Sequence, residues 1–391
     1  MSVNTMGIEQ AYLLVKELHD QATGIKSQVN VDSSNFYSVA QATLQAGTEP
    51  LMNAISVVLT KSLIAVRGYN SKFKGLEYSN DRWGGITRKI SFADTDATLN
   101  VEFALVDGVS VDQYTVKKPN VLETRYVGSD TWQGKYTIFT DQLNVAFSGP
   151  QELASFFSGL MLHFDNEVTQ WIENMSRGLV ANLIGTLNVL GTGHVIHLLT
   201  EYNTATGMNP PLTSTTVKQP ANYGPFIKWC YARIEQIGRM MTERSQLFQQ
   251  VITGKPIMRH TPIEDQKFYV DADALGHIKS EVLADTYNDS YLKLADTQAI
   301  NFWQNIQDPS KVMVTPVYVN ASGVVTTGAA QTVTDIFGVI FDRDCLGYNV
   351  KEDNLEYSPY NADGRYRNLF RHLNYQFCMD VTEKAVLLLL D

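Results

Sequence analysis

Residues 150–184, PQELASFFSGLMLHFDNEVTQWIENMSRGLVANLI, decide the fold. Leu153, Phe156, Phe157, Leu160, Phe164, Val168, Trp171, Met175, Leu179 and Leu183 recur at spacings of mostly three and four. That is the period of a single helix face. Gly149–Pro150 with Glu152 makes the start, with proline in the first turn and an acid near the positive end of the dipole. At 1.5 Å per residue the run spans about 50 Å, several times the usual globular helix of about 12 residues. It predicts a spine helix whose core is Leu153, Phe157, Leu160, Phe164, Trp171 and Met175. Its aromatic stripe reads as packing, not as a platform for stacking bases.

Upstream, the first 66 residues read as helices. Ile8, Tyr12, Val15 and Leu18 keep helical spacing, and Leu51, Ile55, Val58, Leu59 and Ala65 continue it after Thr48–Glu49–Pro50. From Gly75 to Phe147 the pattern changes to strands. Asp107–Gly108 between Leu105 and Val111 predicts a two-residue turn in a hairpin over Leu99–Val116. Val121–Val127 and Lys135–Thr140 are expected to pair through Gly128–Gly134. These 70 or so residues have little continuous core of their own and read as an arm that leans on another surface.

Downstream, Gly185–Tyr223 is rich in Gly, Thr, Asn and Pro and reads as a long loop or boundary. A helix is expected from Pro225 towards Phe248 on Phe226, Cys230, Ile234, Ile237 and Met241. Strands and helices then alternate: Lys267–Val270, a helix at Ala272–Ala284, Val312–Val319, Val324–Thr326 and Ile336–Phe341. That mixture makes a compact α+β or α/β domain. Asn349–Leu390 is again strand-rich, and its last run, AVLLLL (385–390), must be buried.

The 391 residues are 44% hydrophobic and 18% charged, which supports a real core and excludes wholesale disorder. The net charge of −10 is spread along the chain, which argues against a dedicated nucleic-acid binder. Cys230, Cys345 and Cys378 form no CxxC pair and suit a reducing compartment. The N-terminal residues lack the basic start of a signal peptide, and no apolar run reaches the roughly 20 residues of a membrane span. A protein made in the cytosol, with no membrane association, is the expectation.

The search for chemistry comes out empty. His194-x-x-His197 has metal-like spacing but no nearby acid or third histidine, and reads as ordinary loop histidines. Gly185, Gly191 and Gly193 do not form a dinucleotide loop, and Gly254–Lys255 is followed by Pro256, which excludes a phosphate-binding loop. Asp342 and Asp344 flank Arg343 and read as a salt-bridged corner, not an acid–base pair. No nucleophile elbow is present. No catalytic residue, metal ligand or cofactor is expected. Arms with too little core must bury their apolar faces on partners, so self-assembly is the physical reading.

Four stretches carry a resemblance: RGYNSKFKGLEY (67–78) with DRWGGITRKI (81–90); VDQYTVKKPNVLETRYVG (111–128); the spine helix from Pro150; and FDRDCLGYNV (341–350) with YNADGRYRNLF (360–370). In order and spacing they resemble the major capsid proteins of tailed bacteriophages with the Hong Kong 97-like fold. The resemblance implies an α+β chain with an N-terminal arm (1–74), an extended β-hairpin E-loop (75–147) and a P-domain with the spine helix (148–222). An A-domain (223–345) and C-terminal strands of the P-domain (346–391) complete it. It implies inter-subunit contacts at Trp83, Arg88, Lys89, Phe103, Asp107, Gly108, Val111 and Tyr114. Some relatives join a lysine to a neighbour's asparagine; Lys89, Lys117 and Lys118 lie in the E-loop, and nothing singles one out. The implied function is an icosahedral shell of hexamers and pentamers around double-stranded DNA, in the virion, assembled in the host cytoplasm. No charged extension precedes the arm, so the resemblance implies a separate scaffolding protein, with a portal and decoration proteins as further partners. An encapsulin-like nanocompartment shell is the alternative within the fold, and an enzyme with a dispersed active site the alternative outside it.

Overall fold

The computed structural model describes residues 8–23, 31–32, 35–45, 71–78, 86–94, 99–100, 103, 106–111, 114, 116, 118–139, 142, 149–281 and 296–391. Its helices are α1 (Ile8–Thr23), α2 (Phe36–Gln45), α3 (Pro150–Leu190), α4 (Leu198–Thr206), α5 (Pro220–Thr242) and α6 (Ala272–Glu281). The first strands are β1 (Ile86–Phe92), β2 (Val121–Val127), β3 (Asp130–Phe139), β4 (Val195–His197), β5 (Gln266–Asp271) and β6 (Asp296–Ile300). Four short ones follow: β7 (Val312–Val314), β8 (Val317–Val319), β9 (Val325–Thr327) and β10 (Gln331–Val333). The last are β11 (Ile336–Asp342), β12 (Leu346–Tyr357), β13 (Tyr366–Met379) and β14 (Ala385–Leu389). The chain divides into two compact units, one of residues 1–83, 129–175 and 349–376, the other of 84–128, 176–348 and 377–391.

In the first unit, α1 packs on α2 through Val15, Leu18, Phe36 and Ala40, all buried, with Tyr12 edge-on to Phe36. The reciprocal bonds between Asp32 and Asn35 fix the turn that starts α2. A three-stranded sheet has the order β12–β13–β3, with β13 antiparallel to β3 from Tyr366 opposite Phe139 to Tyr375 opposite Asp130. Along β13 the buried positions alternate, Arg367, Leu369, Arg371, Leu373 and Tyr375, and so share one face. The first part of α3 covers that sheet. Trp171 sits between Trp132 and Tyr375, with centroids at 4.9 and 5.1 Å, and Phe164 meets Tyr136 at 5.3 Å. Arg371 reaches out of this face to Asp165 of α3 at 3.3 Å and to Asp353 of β12 at 2.7 Å.

The second unit is built on a mixed sheet of order β4–β14–β11–β5–β6. β14 runs parallel to β4 and antiparallel to β11, while β5 runs antiparallel to β11 and parallel to β6. Every residue of β11 and β14 is buried, as the continuous apolar runs demand. The core lies where Leu198 and Tyr202 of α4 and Phe226, Cys230, Ile234 and Met241 of α5 meet Phe268, Phe337, Ile340, Val386 and Leu388 of the sheet. Two ribbons, β7 with β10 and β8 with β9, are also antiparallel.

Several expectations need correction. The spine helix is longer than its sequence reading, running 41 residues to Leu190. Gly185, taken for the start of a loop, lies inside it, and its missing Cβ makes room for the Val314 side chain. The expected loop 185–223 accordingly holds the end of α3, β4, α4 and the start of α5. α4 offers only Leu198, Leu199 and Tyr202 to the core, too short a pattern to read. Val121–Val127 does not pair with Lys135–Thr140: its partner is β1, from Ile86 opposite Val127 to Phe92 opposite Val121. The helical expectation for Leu51–Val66 lies outside the described residues. Among the described residues no helix is long and apolar enough to cross a membrane.

The packing sets a stability test. Trp171 is half-buried between two rings, so Trp171→Ala should cost about 3 kcal/mol, the lower end for a large aromatic. Leu160 is 4% exposed, and Leu160→Asp should cost more, because it leaves an unpaired charge against the sheet. Urea denaturation of the purified subunit measures both. Parental midpoints for either variant would mean that this face of α3 is not packed.

Candidate assembly surface

The stem formed by β1 and β2 carries residues 93–120 between its strands. Among the described residues of that excursion, Leu99, Phe103, Tyr114 and Val116 are each at least 80% exposed, and Val106, Val109 and Val111 are exposed beside them. Strands β11 and β14 of the same unit, by contrast, are buried at every residue. Soluble monomers rarely present so many large apolar groups together, and a patch of this kind marks a contact surface. The turn is where the Asp-Gly signal put it: Val109 N–H donates to the Val106 carbonyl at 3.2 Å. Only Gly108 has positive φ (+81°), whereas a type I′ hairpin turn needs it at both central residues. The described residues flanking the turn are not strand, so the expected ladder over Leu99–Val116 is absent among them.

The other expected contacts divide. Arg88 is exposed on the stem beside Glu123, at 3.8 Å, and Glu123 is bonded more closely by Arg125, at 2.9 Å. These are surface pairs, worth little to stability. Phe103, Asp107, Gly108, Val111 and Tyr114 are all exposed on the excursion, whereas Trp83 lies outside the described residues. Lys89 is different. Its ammonium is held inside its own chain by Asp380 at 3.0 Å and Glu383 at 2.5 Å. Arg259 joins the group, ion-paired with Glu383 at 3.3 Å and donating to the Ser91 hydroxyl at 3.0 Å. Of the expected spine core, Leu160 and Phe164 are buried, Trp171 and Met175 half-buried, and Leu153 and Phe157 lie on the first turns of α3.

The electrostatics of this cluster follow from its burial. Burial works against the charge of Lys89, but Asp380 and Glu383 outweigh it and raise the ammonium above its ordinary 10.5. Burial likewise opposes ionisation of Asp380, and is overcome by Lys89 and by the Thr382 hydroxyl and amide, so this carboxyl falls below 3.8. Burial prevails at Glu383, only partly offset by Lys89 and Arg259, and its carboxyl is raised. A raised lysine stabilises the fold below its unfolded value and lets go as pH rises through the folded one; a depressed aspartate stabilises above its unfolded value and lets go as pH falls. Lys89 and Asp380 therefore hold across neutral pH. Glu383 has the opposite sign: its carboxyl is raised, and taking up a proton relieves a buried charge.

Elsewhere the expected chemistry resolves into structure. His194 is buried with Nδ1 3.4 Å from the Ala385 carbonyl, and His197 bonds Asp391 at 2.6 Å, so the two histidines serve different partners. Arg343 bonds Asp265 at 2.9 Å and Asp344 at 3.7 Å, while Asp342 accepts from the Thr261 hydroxyl at 2.6 Å. The corner is thus salt-bridged chiefly to Asp265, and Asp342 serves Thr261 instead of Arg343. All three cysteines are buried, and burial pushes the Cys230 and Cys345 thiols up. Among the described residues no group of three potential ligands is placed to hold a metal. What the sequence reading missed is the partnership of Lys89 with Asp380, Glu383 and Arg259. The one visible signal is the polar break Asp380–Lys384 just before the apolar run of β14.

A five-stranded sheet, a three-stranded sheet and an arm of exposed apolar side chains together suit a subunit that buries that arm on a partner. The fold agrees. A chain of the capsid of Staphylococcus phage Andhra superposes with a TM-score of 0.54 at 12% identity, covering 84% of this chain and 86% of that one. A chain from native bacteriophage P68 does so with the same TM-score and coverage at 11% identity. A comparison with curated protein sequences finds no match. The Phi29-like phage major capsid protein family matches residues 13–389, and the chain belongs to that family. It is a structural, shell-forming major capsid protein of the virion.

The exposed arm makes its own test. Because their side chains are already in water, Phe103→Ser and Tyr114→Ser should change subunit stability by no more than about 0.5 kcal/mol. Urea denaturation of unassembled subunit reads this, and a loss several times larger would place these side chains in the subunit's own core.

Proposed function

We propose that this major capsid protein builds an icosahedral shell of hexamers and pentamers around the double-stranded DNA of a tailed phage, and that the β1–β2 arm is its principal contact with the next copy. The observation that carries this reading is the run of exposed apolar side chains from Leu99 to Val116 on a stem with only two strands. A lone two-stranded ribbon is marginal in water and needs a surface to lie on. The expected contacts Arg88, Phe103, Asp107, Gly108, Val111 and Tyr114 lie on this arm.

The parts divide accordingly. Residues 1–74 act as the N-terminal arm and 75–147 as the E-loop. The spine helix with β12 and β13 forms the P-domain, and residues 223–345 form the A-domain, whose sheet β14 completes. The negative net charge suits a container that holds DNA without gripping it, since counter-ion release at basic patches is what makes DNA binding tight. A separate scaffolding protein, a portal and decoration proteins are the further partners in this reading, and assembly takes place in the host cytoplasm. The acidic, motif-poor sequence favours a shell over an enzyme with a dispersed site.

Replacing residues 96–120 with a short Gly-Ser linker separates folding from assembly. Both sheets draw their cores from other segments, so the thermal melt followed by circular dichroism should stay cooperative, while micrographs of the same sample should lose their particles. Normal shells from the shortened chain would remove the arm from the list of assembly contacts. A chain that no longer folds would place the excursion in the subunit core.

A further inference from the structure

Strand β1 of the stem is built inside out. On β1 the half-buried positions are Thr87, Lys89 and Ser91, and the exposed ones Arg88, Ile90 and Phe92. Directly opposed residues of an antiparallel pair share a face, so Val121, opposite Phe92, and Val127, opposite Ile86, lie on the exposed side. Ile90, Phe92 and Val127 are each more than half exposed. On the inner face, β2 offers Leu122, Thr124 and Tyr126. The usual alternation, apolar in and polar out, is reversed on β1.

What fastens the stem to its own chain is correspondingly polar. Lys89 bonds Asp380 and Glu383, and Arg259 bonds Ser91 and Glu383. At the top of the stem Asp94 takes a bond from Arg244 and one from the Met258 amide at 2.5 Å, while its own amide donates to the Pro256 carbonyl at 2.8 Å. Lys255 donates to the Val121 carbonyl at 2.5 Å. Buried ion pairs return little more than the cost of taking their charges out of water. In a lone subunit these polar bonds hold the stem while Ile90, Phe92, Val121 and Val127 stay wet.

Resting on the reading that the arm meets a second copy, we propose that the Lys89 clasp couples stem docking to association. Closed, it holds the stem with Ile90, Phe92, Val121 and Val127 facing outward; a second copy covering that face holds the clasp closed in turn. The coupling is reciprocal because each event favours the same stem position. The second copy is the occupant because a shell-forming chain meets identical copies on its sides.

Hydrogen exchange on the full-length chain, below and above its assembly concentration, tests this. Lys89→Met leaves two buried carboxylates without their ammonium. Exchange in 86–92 and 121–127 of the unassembled variant should then rise on the order of tenfold, with 226–241 unchanged. The concentration for half-assembly should rise by a similar factor, and Lys89→Arg should restore most of both. In the parent, exchange in the stem should slow on assembly. If Lys89→Met also loosens 226–241, Arg259→Gln reads the same clasp through its bonds to Ser91 and Glu383. The inference is overturned if the folded variant keeps parental exchange in the stem, or if exchange rises with no shift in assembly. Phe92→Asp separates the two readings. Normal assembly of Phe92→Asp overturns the arm contact itself. Blocked assembly of Phe92→Asp beside an inert Lys89→Met overturns the coupling alone.

Discussion

The second unit depends on the burial of one strand. Residues 385–389 are fully apolar and fully buried as β14, between β4 and β11. Its neighbours come from positions 195–197 and 336–341, so the strand closes a sheet over nearly 200 residues of sequence. The run is continuously apolar because every residue of the strand is buried, on both faces of the sheet. With β14 in place both its edges are paired, and β5 and α5 gain a floor for Phe268, Phe226 and Ile234. The same closure brings Asp380 and Glu383, in the turn just before the strand, under β1. A core requirement thereby positions the charges that anchor the stem.

How much of this was legible follows from which interactions are local. The spine helix showed itself because ten apolar residues kept one helical period, and only its end was misread, where Gly185 answers to Val314 about 130 residues away. The burial of β14 was readable from composition alone. Strand pairing was not: Gly128–Gly134 looks like a hairpin joint, yet β2 takes β1 and β3 takes β13, choices made by registers that no local pattern displays. The turn at Asp107–Gly108 was legible because a positive φ has a residue preference, whereas the clasp was hidden because Lys89 and Asp380 stand 291 positions apart.

The two units solve the problem of buried charge in different ways. Arg371 in the first is enclosed by Asp165 and Asp353, which fix α3 and β12 against β13 at one point. All three charges sit on elements that are also packed by Trp171, Phe164 and Leu369, so the ion pairs set register and the rings supply the adhesion. The Lys89 cluster lacks that apolar surround on β1, whose half-buried positions are Thr87, Lys89 and Ser91. Similar ion pairs therefore make a fixed joint in one place and a shallow one in the other.

That difference bears on how a subunit with a net charge of −10 associates with copies of itself. Like-charged subunits repel, though beyond a Debye length of about 8 Å at physiological salt the repulsion is largely screened. Attraction has to come from apolar area, and the largest described reserve of it outside the cores is on the arm, from Ile90 and Phe92 through Phe103 and Tyr114 to Val127. At about 25 cal/mol per Å² of apolar surface, covering even a few such side chains offsets several kcal/mol of repulsion. In the proposed reading the negative charge keeps free subunits apart while the apolar arm decides where they meet. The polar inner positions of β1 fit the same proposed division, because the apolar side chains of that strand, Ile90 and Phe92, stay on the exposed side.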